Sequence, residues 1–436
     1  MFTQLSFLIN IPFVLLLMML ATGPVLYAKF WHKYYALIAI SLGALVVGYH
    51  IAILGELHEP IEALADYIQF IALISALYVT AGGILIHVNT PATSTSNLLL
   101  LWLGAILSNL IGTTGASMLL IRPFIRINKP HVEPYHMVFF IFMVSNIGGG
   151  LTPVGDPPLF LGFLKGVPFF WTLWNCFLPW FTALCLLSII FYIIDQHHAS
   201  QRAKIKPKSK TSRKTKMTIQ GKGNFMLLFM IGIAVFLDPD IVNWIPSLEI
   251  NHHHYSFVRE IILIAIAMIA YFSADASLLR KNNFSFGPLR EVVYIFFGLF
   301  GTMIPVLVLI NDFAKSETGQ NLINPHTLYW GVGSLSAFLD NAPIYLTSLK
   351  AGTASQGQSV IHFAKHTISY LRAISVAAVF FGAMSYIGNA PNYMVRKIAE
   401  ESGIKMPSFL AYLTKFAIPF LLPILGLIWL LFFVAT

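Results

Sequence analysis

Residues 145–158 read Ser-Asn-Ile-Gly-Gly-Gly-Leu-Thr-Pro-Val-Gly-Asp-Pro-Pro and decide the fold. Four glycines and three prolines cannot continue a helix, because glycine is costly in a helix interior and proline lacks the amide hydrogen. Apolar sequence flanks the stretch, which predicts a helix break at membrane depth, where irregular backbone persists only if it is buried in protein or lines a wet cavity. Asp156 lies inside the break, and an ionisable residue there is a candidate functional residue.

The composition predicts an all-α polytopic membrane protein. Of 436 residues, 57% are hydrophobic and 10% are charged, and the mean hydropathy is +0.74. Soluble domains carry about 25% charged residues. The net charge of +9 does not indicate nucleic-acid binding, because the basic residues lie between apolar runs, as the positive-inside rule expects of cytoplasmic loops.

The order of apolar segments predicts two inverted repeats, residues 1–194 and 224–436, joined by a basic linker at residues 195–223. Each repeat contains three spans, a re-entrant hairpin, a helix broken at the midplane and a last span. The hairpins are predicted at residues 97–127 and 325–349, and the broken helices at residues 135–164 and 366–399. Five complete crossings per half is an odd number, so the halves would have opposite orientations in the bilayer.

Loop charges predict the orientation. Residues 195–223 hold nine Lys or Arg residues, which places this linker in the cytoplasm and both termini in the periplasm. The same arrangement puts most of the other basic residues inside. It leaves Glu56, Glu59, Glu62 and Asp66 in a predicted outside loop.

Small polar side chains mark all four interruptions. Hydroxyl, amide and carbonyl oxygens are the ligands that hard cations prefer, and half-helix ends add free backbone groups. The candidate neutral ligands are Ser108, Asn109, Thr113, Thr114, Ser145, Asn146, Thr152, Ser336, Asn341, Ser385 and Asn389.

Two acids, Asp156 and Asp340, are the candidate exchange sites for a sodium ion and a proton. A carboxylate in a partly dry cavity can bind either one, and competition between them would produce antiport. Each acid could instead cap a helix, since aspartate is a favoured N-cap residue. An anion site would call for cationic side chains beside the breaks, and the central motifs contain none.

Three motifs resemble the NhaD-like sodium:proton antiporters, a group also labelled "putative citrate transporters", within the ion transporter superfamily. They are the stretch at residues 145–158 with the Leu-Phe-Leu-Gly-Phe that follows, Leu-Ile-Gly-Thr-Thr-Gly-Ala-Ser-Met-Leu-Leu-Ile-Arg-Pro, and Phe-Leu-Asp-Asn-Ala-Pro. The resemblance extends from the first span to the last. It implies a bacterial inner-membrane transporter with scaffold and transport domains, often a homodimer, that moves its substrate by an elevator motion.

The resemblance also bears on individual residues. Ser108 and Asn109 match the Ser-Asn of the superfamily's first hairpin, and Asp340-Asn341 occupies the second hairpin. In the dicarboxylate carriers of the superfamily both hairpins carry Ser-Asn-Thr, so this departure favours cation exchange.

The leading hypothesis is therefore exchange of sodium, or lithium, for protons, with no resident cofactor and no enzymatic activity. The alternatives are a carrier for citrate, another carboxylate or arsenite, and a membrane enzyme or receptor without transport. No serine-histidine-acid arrangement, metal motif or nucleotide-binding loop supports the last of these.

Overall fold

The computed structural model describes residues 8–89, 92–205, 216–237, 242, 245–246, 248–250, 253–282 and 284–434. Most of these residues are helical, as the apolar sequence predicts. The helices of the first half are α1 (Ile11–Leu26), α2 (Ala28–Tyr49), α3 (His58–Gly82), α4 (Ser94–Asn128), α5 (Pro134–Met143), α6 (Pro157–Leu164) and α7 (Trp171–Ile205). Those of the second half are α8 (Gly223–Ala234), α9 (Val258–Ser273), α10 (Ala276–Lys281), α11 (Gly287–Lys315), α12 (Glu317–Leu322), α13 (Pro325–Ser336), α14 (Asn341–Ser355), α15 (Val360–His366), α16 (Ile368–Phe381), α17 (Ala390–Glu401), α18 (Phe409–Tyr412) and α19 (Leu422–Trp429).

Two short antiparallel ribbons were not predicted. Strand β1 (Leu85–Asn89) pairs with β2 (Lys216–Gln220), and β3 (Leu248–Ile250) pairs with β4 (His253–Tyr255). The first ribbon joins the chain after α3 to the end of the basic linker, so both segments lie at the same end of the molecule. Residues 206–215 of that linker lie outside the described residues.

Helix α4 folds back on itself at Gly112. This residue has φ +77° and ψ 154°, a left-handed conformation that glycine adopts at little cost. A straight helix would separate residues 97 and 128 by about 46 Å. Instead, the side chains of Asn97 and Asn128 exchange hydrogen bonds of 3.0 and 2.8 Å. Residues 94–128 therefore form two helical arms of a hairpin.

The chain is also interrupted between helices at three other places. Helices α5 and α6 are separated by a stretch that contains a single 3₁₀ turn, Ile147–Gly149, and α16 and α17 by a stretch that contains Gly382–Met384. Helices α13 and α14 are separated by residues 337–340 and pack against each other.

The helices form two packed groups. Helices α1, α2, α3, α8, α9 and α11 pack on one another, and the hairpins pack with the broken helices and α7. Within the first group, α2 and α11 approach closely at Gly43 and Gly298, where a Cβ on Gly43 would lie 3.1 Å from the Gly298 backbone. The two groups meet mainly where α11 contacts α14 and α3 contacts α4.

Six helices among the described residues are long and apolar enough to cross a membrane, or seven if the bent pair α15 and α16 counts as one span. The protein is a multi-pass membrane protein. One of the six is α4, whose 35 residues comprise both arms of the hairpin, so neither arm alone has this length.

Helix boundaries differ from the predicted ones at two places. Helix α7 continues to Ile205, into the segment predicted as a linker. Glu59, Glu62 and Asp66, predicted in a loop, lie in the first turns of α3, where Glu62 and Asp66 form ion pairs with Lys165.

Candidate functional site

Four interrupted segments meet at the carboxylate of Asp156. Thr113 Oγ1 and Asn389 Nδ2 each donate a hydrogen bond of 2.8 Å to Asp156 Oδ1. Asn341 Nδ2 donates one of 2.9 Å to Oδ2. Each of these four residues comes from a different break, and Asn389 lies 233 positions from Asp156 in the sequence.

Asp156 is the N-cap residue of α6, but its side chain does not cap that helix. The first two helical positions are Pro157 and Pro158, which have no amide hydrogen to donate. The backbone oxygen of Asp156 instead accepts from Leu159 N–H at 3.1 Å. The carboxylate is therefore free to turn into the centre of the molecule.

Asn389 has the corresponding position in the second broken helix. It is the N-cap residue of α17, with φ −154° and ψ 141°, against φ −145° and ψ 142° for Asp156. Its side chain also makes no cap hydrogen bond. The two N-cap residues, one acidic and one neutral, bond to each other.

The carboxylate of Asp156 is buried, with 1% of the residue exposed, and its bonding partners are neutral. Among the ion pairs between described residues, none involves Asp156. The helical segments that begin at Thr113, Pro157, Asn341 and Ala390 all start beside it, and helix N-termini carry partial positive charge. These amides and helix ends stabilise a negative charge without cancelling it.

Oxygen atoms also converge on this centre. The backbone oxygen of Ser145 accepts a 3.3 Å hydrogen bond from Asn389 Nδ2. Asn146 Oδ1 is buried and accepts no hydrogen bond from the described residues. It lies near Gly382, where a Cβ would be 3.1 Å from Asn146 Oδ1 and 3.3 Å from Asn341 Nδ2. These oxygens, together with Asp156, are the atom types that coordinate a hard cation.

Three of the predicted residues hold the broken backbone and do not contact Asp156 directly. Ser108 Oγ donates to the backbone oxygen of Val144 at 2.7 Å. Asn109 donates to Gly148 O at 2.6 Å and accepts from Leu151 N–H at 2.9 Å. Thr152 Oγ1 donates back to Asn109 O at 2.6 Å. The hairpin α4 thus supplies partners to the backbone groups that the first break leaves without a helix.

The remaining predicted residues lie around the breaks in different settings. Ser145 Oγ pairs with Ser117 Oγ at 2.8 Å, and Ser385 Oγ accepts the N–H groups of the two turn residues that follow Tyr386. Ser336 is fully buried, and its hydroxyl has no partner among the described residues. Thr114 borders a cavity of about 30 Å³, which Tyr78 of α3 also lines.

Asp340 differs from Asp156. Its Oδ1 accepts the Ala342 N–H at 3.0 Å and caps α14, and the residue is only partly buried. It precedes Asn341, which bonds Asp156, but Asp340 itself does not. The capping role considered for both acids is therefore observed for Asp340 alone.

Asn392 and Ser117 were not among the site residues predicted from sequence. Asn392 Oδ1 accepts from Asn146 Nδ2 at 2.6 Å, and Asn392 Nδ2 bonds the oxygens of Gly382 and Ser385 at 2.8 Å each. Both residues are inside the polar motifs that mark the breaks. The signal that could have identified Ser117 and Asn392 is that each is a polar residue about one helical turn beyond a break.

A family model described as "Putative citrate transport" matches residues 2–433. The chain belongs to this family. The match covers nearly the whole chain, as the resemblance of the three motifs predicted, and the family is one of secondary transporters. No curated protein matches the chain.

Proposed function

We propose that this member of the family exchanges sodium, or lithium, for protons, and that Asp156 binds the two in turn. The observation that carries the proposal is a buried carboxylate that four chain breaks surround and that no cationic side chain among the described residues neutralises. An unpaired buried charge is costly, and a bound cation or proton removes the cost. Because one carboxylate cannot hold both, the two compete.

The neighbours of Asp156 can serve both states. Each asparagine amide carries a donor and an acceptor, so Asn341 and Asn389 can donate to the empty carboxylate. After rotation of the amide by half a turn, each presents Oδ1 to a cation. Asn146 Oδ1 and the Ser145 carbonyl would complete a shell of neutral oxygens.

The transport cycle is proposed to be an elevator motion of two inverted repeats. The same element order in both halves and the matching N-cap dihedrals of Asp156 and Asn389 support the repeat. The group of hairpins and broken helices would move against the group built on α2, α3 and α11. A cytoplasmic location for residues 195–223 is supported by their charge and by the pairing of β1 with β2.

A carrier for citrate or another carboxylate is the second candidate. The family description and the four helix N-termini beside Asp156 favour it, because N-termini bind anions. Such a substrate would have to enter beside a carboxylate that already occupies those N-termini. Repulsion between the substrate's carboxylate and Asp156 disfavours binding there, so we rank the carboxylate carrier second.

One pair of assays separates the candidates. In everted membrane vesicles with a preformed pH gradient, sodium addition is expected to collapse the gradient. In proteoliposomes, labelled citrate is expected to remain outside. Citrate uptake that is saturable, together with no sodium effect on the gradient, would replace the first candidate by the second.

A further inference from the structure

A second cluster of possible ligands lies at the junction between α2 and α3, in a segment that the transport proposal does not use. One nitrogen of His50 and one carboxylate oxygen from each of Glu56 and Glu59 lie within 4.8 Å of one another. The distance from His50 Nδ1 to Glu56 Oε2 is 3.8 Å.

The backbone holds these three residues in place. His50 starts a π-helical turn, His50–Leu54, that ends at Gly55 with φ +70°. The N–H groups of Gly55 and Glu56 both bond the oxygen of His50, the latter at 3.1 Å. This tight turn brings Glu56 back beside the imidazole, and the first turn of α3 adds Glu59.

Unpaired buried atoms point to a ligand. His50 is 4% exposed, and its Nδ1 has no hydrogen-bond partner among the described residues. Glu59 Oε2 is also buried and has no partner there. Buried polar atoms nearly always have a partner, since leaving one without costs about 1–3 kcal/mol. Here His50 and Glu59, each with a buried atom that lacks a hydrogen-bond partner among the described residues, belong to one cluster.

We propose that His50, Glu56 and Glu59 bind a divalent transition-metal ion, with zinc the best match. Imidazole nitrogens and carboxylate oxygens are both ligands of Zn²⁺ in proteins, and the two carboxylates balance its charge. Ligand atoms around a tetrahedral zinc lie about 3.4 Å apart, given bonds of about 2.0–2.1 Å. The 3.8 Å between His50 and Glu56 exceeds a hydrogen bond but is close to this spacing.

The site would be open on one side. The Glu56 side chain is 56% exposed, so an ion can enter from solvent and keep a water as its fourth ligand. Glu59 also lines a cavity of about 510 Å³ between α3, α11 and α14. The ion would cross-link the end of α2 to the start of α3 beside this cavity.

Zinc titration calorimetry of the purified full-length protein, freed of its affinity tag and of metals, tests the proposal. The His50→Gln and Glu56→Gln variants are expected to lose this site, so that its zinc affinity falls at least 10-fold. Two variants of exposed residues elsewhere, His326→Gln and Glu317→Gln, control for surface binding and should match the unchanged protein. Magnesium, which prefers six oxygen ligands, should not compete.

Zinc binding with unchanged affinity and stoichiometry in His50→Gln and Glu56→Gln would overturn the assignment, and so would no zinc binding by the unchanged protein at 100-fold excess over protein. If His50→Gln does not fold, Glu56→Gln carries the test, because its side chain is largely exposed. Sodium-driven exchange is expected to continue after zinc removal, so this proposal can fail without the transport proposal failing.

Discussion

Replacing Asp156 by asparagine removes the one charge on which the exchange proposal rests and changes little else. The two side chains have nearly the same shape. An asparagine at this position keeps one oxygen to accept a hydrogen bond from Thr113, Asn341 or Asn389. Its NH2 group can only donate, so at least one of these donors loses its partner at a cost of about 1–3 kcal/mol. Loss of an unneutralised buried charge offsets that cost, so we expect the variant to fold.

The effect on cation binding is far larger. A sodium ion and a carboxylate oxygen at about 2.4 Å attract each other by about 7 kcal/mol at an effective dielectric constant of 20. Dehydration of the ion cancels part of this attraction. If half remains, its loss weakens sodium binding by roughly 300-fold.

Sodium-dependent collapse of a pH gradient in everted vesicles is the assay. Asp156→Asn is expected to show no collapse at sodium concentrations that saturate the unchanged protein. Asp312→Asn, which removes an exposed carboxylate from α11, is the matched control and should retain full exchange. The amount of each variant in the membrane is measured by immunoblot. Full exchange by Asp156→Asn at normal abundance would refute the reasoning.

The other predictions concern pH, the second acid, an ion-pair cluster and one glycine. Because protons compete with sodium for Asp156, the sodium concentration for half-maximal exchange should fall as pH rises; a pH-independent value would count against competition. Asp340→Asn should leave thermal stability unchanged, since asparagine caps equally well, whereas Asp340→Ala should cost about 1 kcal/mol of stability. Thermal unfolding of the purified proteins measures both effects. Equal stability of the Asp340→Ala variant and the unchanged protein would argue against the cap. Lys165 Nζ lies 2.5 Å from an Asp66 carboxylate oxygen and 2.6 Å from one of Glu62, so Lys165→Gln should lower the unfolding temperature. Adding Asp66→Asn to this variant should restore part of the lost unfolding temperature. A further, additive loss would show that Lys165 and Asp66 do not couple. Gly155→Ala should prevent normal accumulation of the protein in the membrane, because the alanine Cβ would collide with the backbone oxygen of Gly149. Normal abundance of this variant on an immunoblot would contradict the packing.

The chain breaks and the central acid could be predicted from sequence because they depend on local chemistry. The glycines and prolines around Asp156 exclude a continuous helix whatever surrounds them. Gly112 is a second local cause of a break, because its positive φ turns α4 into a hairpin. The polar residues beside these breaks were therefore recognisable as candidates.

Contacts between distant segments could not be predicted in this way. Nothing local distinguishes Asn341 and Asn389, which bond Asp156, from Asn109, which holds the backbone of the first break. Asp340 has the same side chain as Asp156, but an amide hydrogen two residues later makes it a helix cap. Pro157 and Pro158 leave the first two positions of α6 without an amide hydrogen, and the next amide, Leu159 N–H, bonds the backbone oxygen of Asp156. Only the prolines could be read from the sequence.

Sodium-triggered proton release from the purified protein tests the central claim most directly. In weakly buffered detergent solution, with no membrane gradient, sodium chloride should displace the proton from Asp156 and acidify the medium. Choline chloride should cause no acidification, and neither should sodium chloride added to the Asp156→Asn variant. No acidification by the unchanged protein, or equal acidification by Asp156→Asn, would contradict the claim that a cation and a proton compete for this carboxylate.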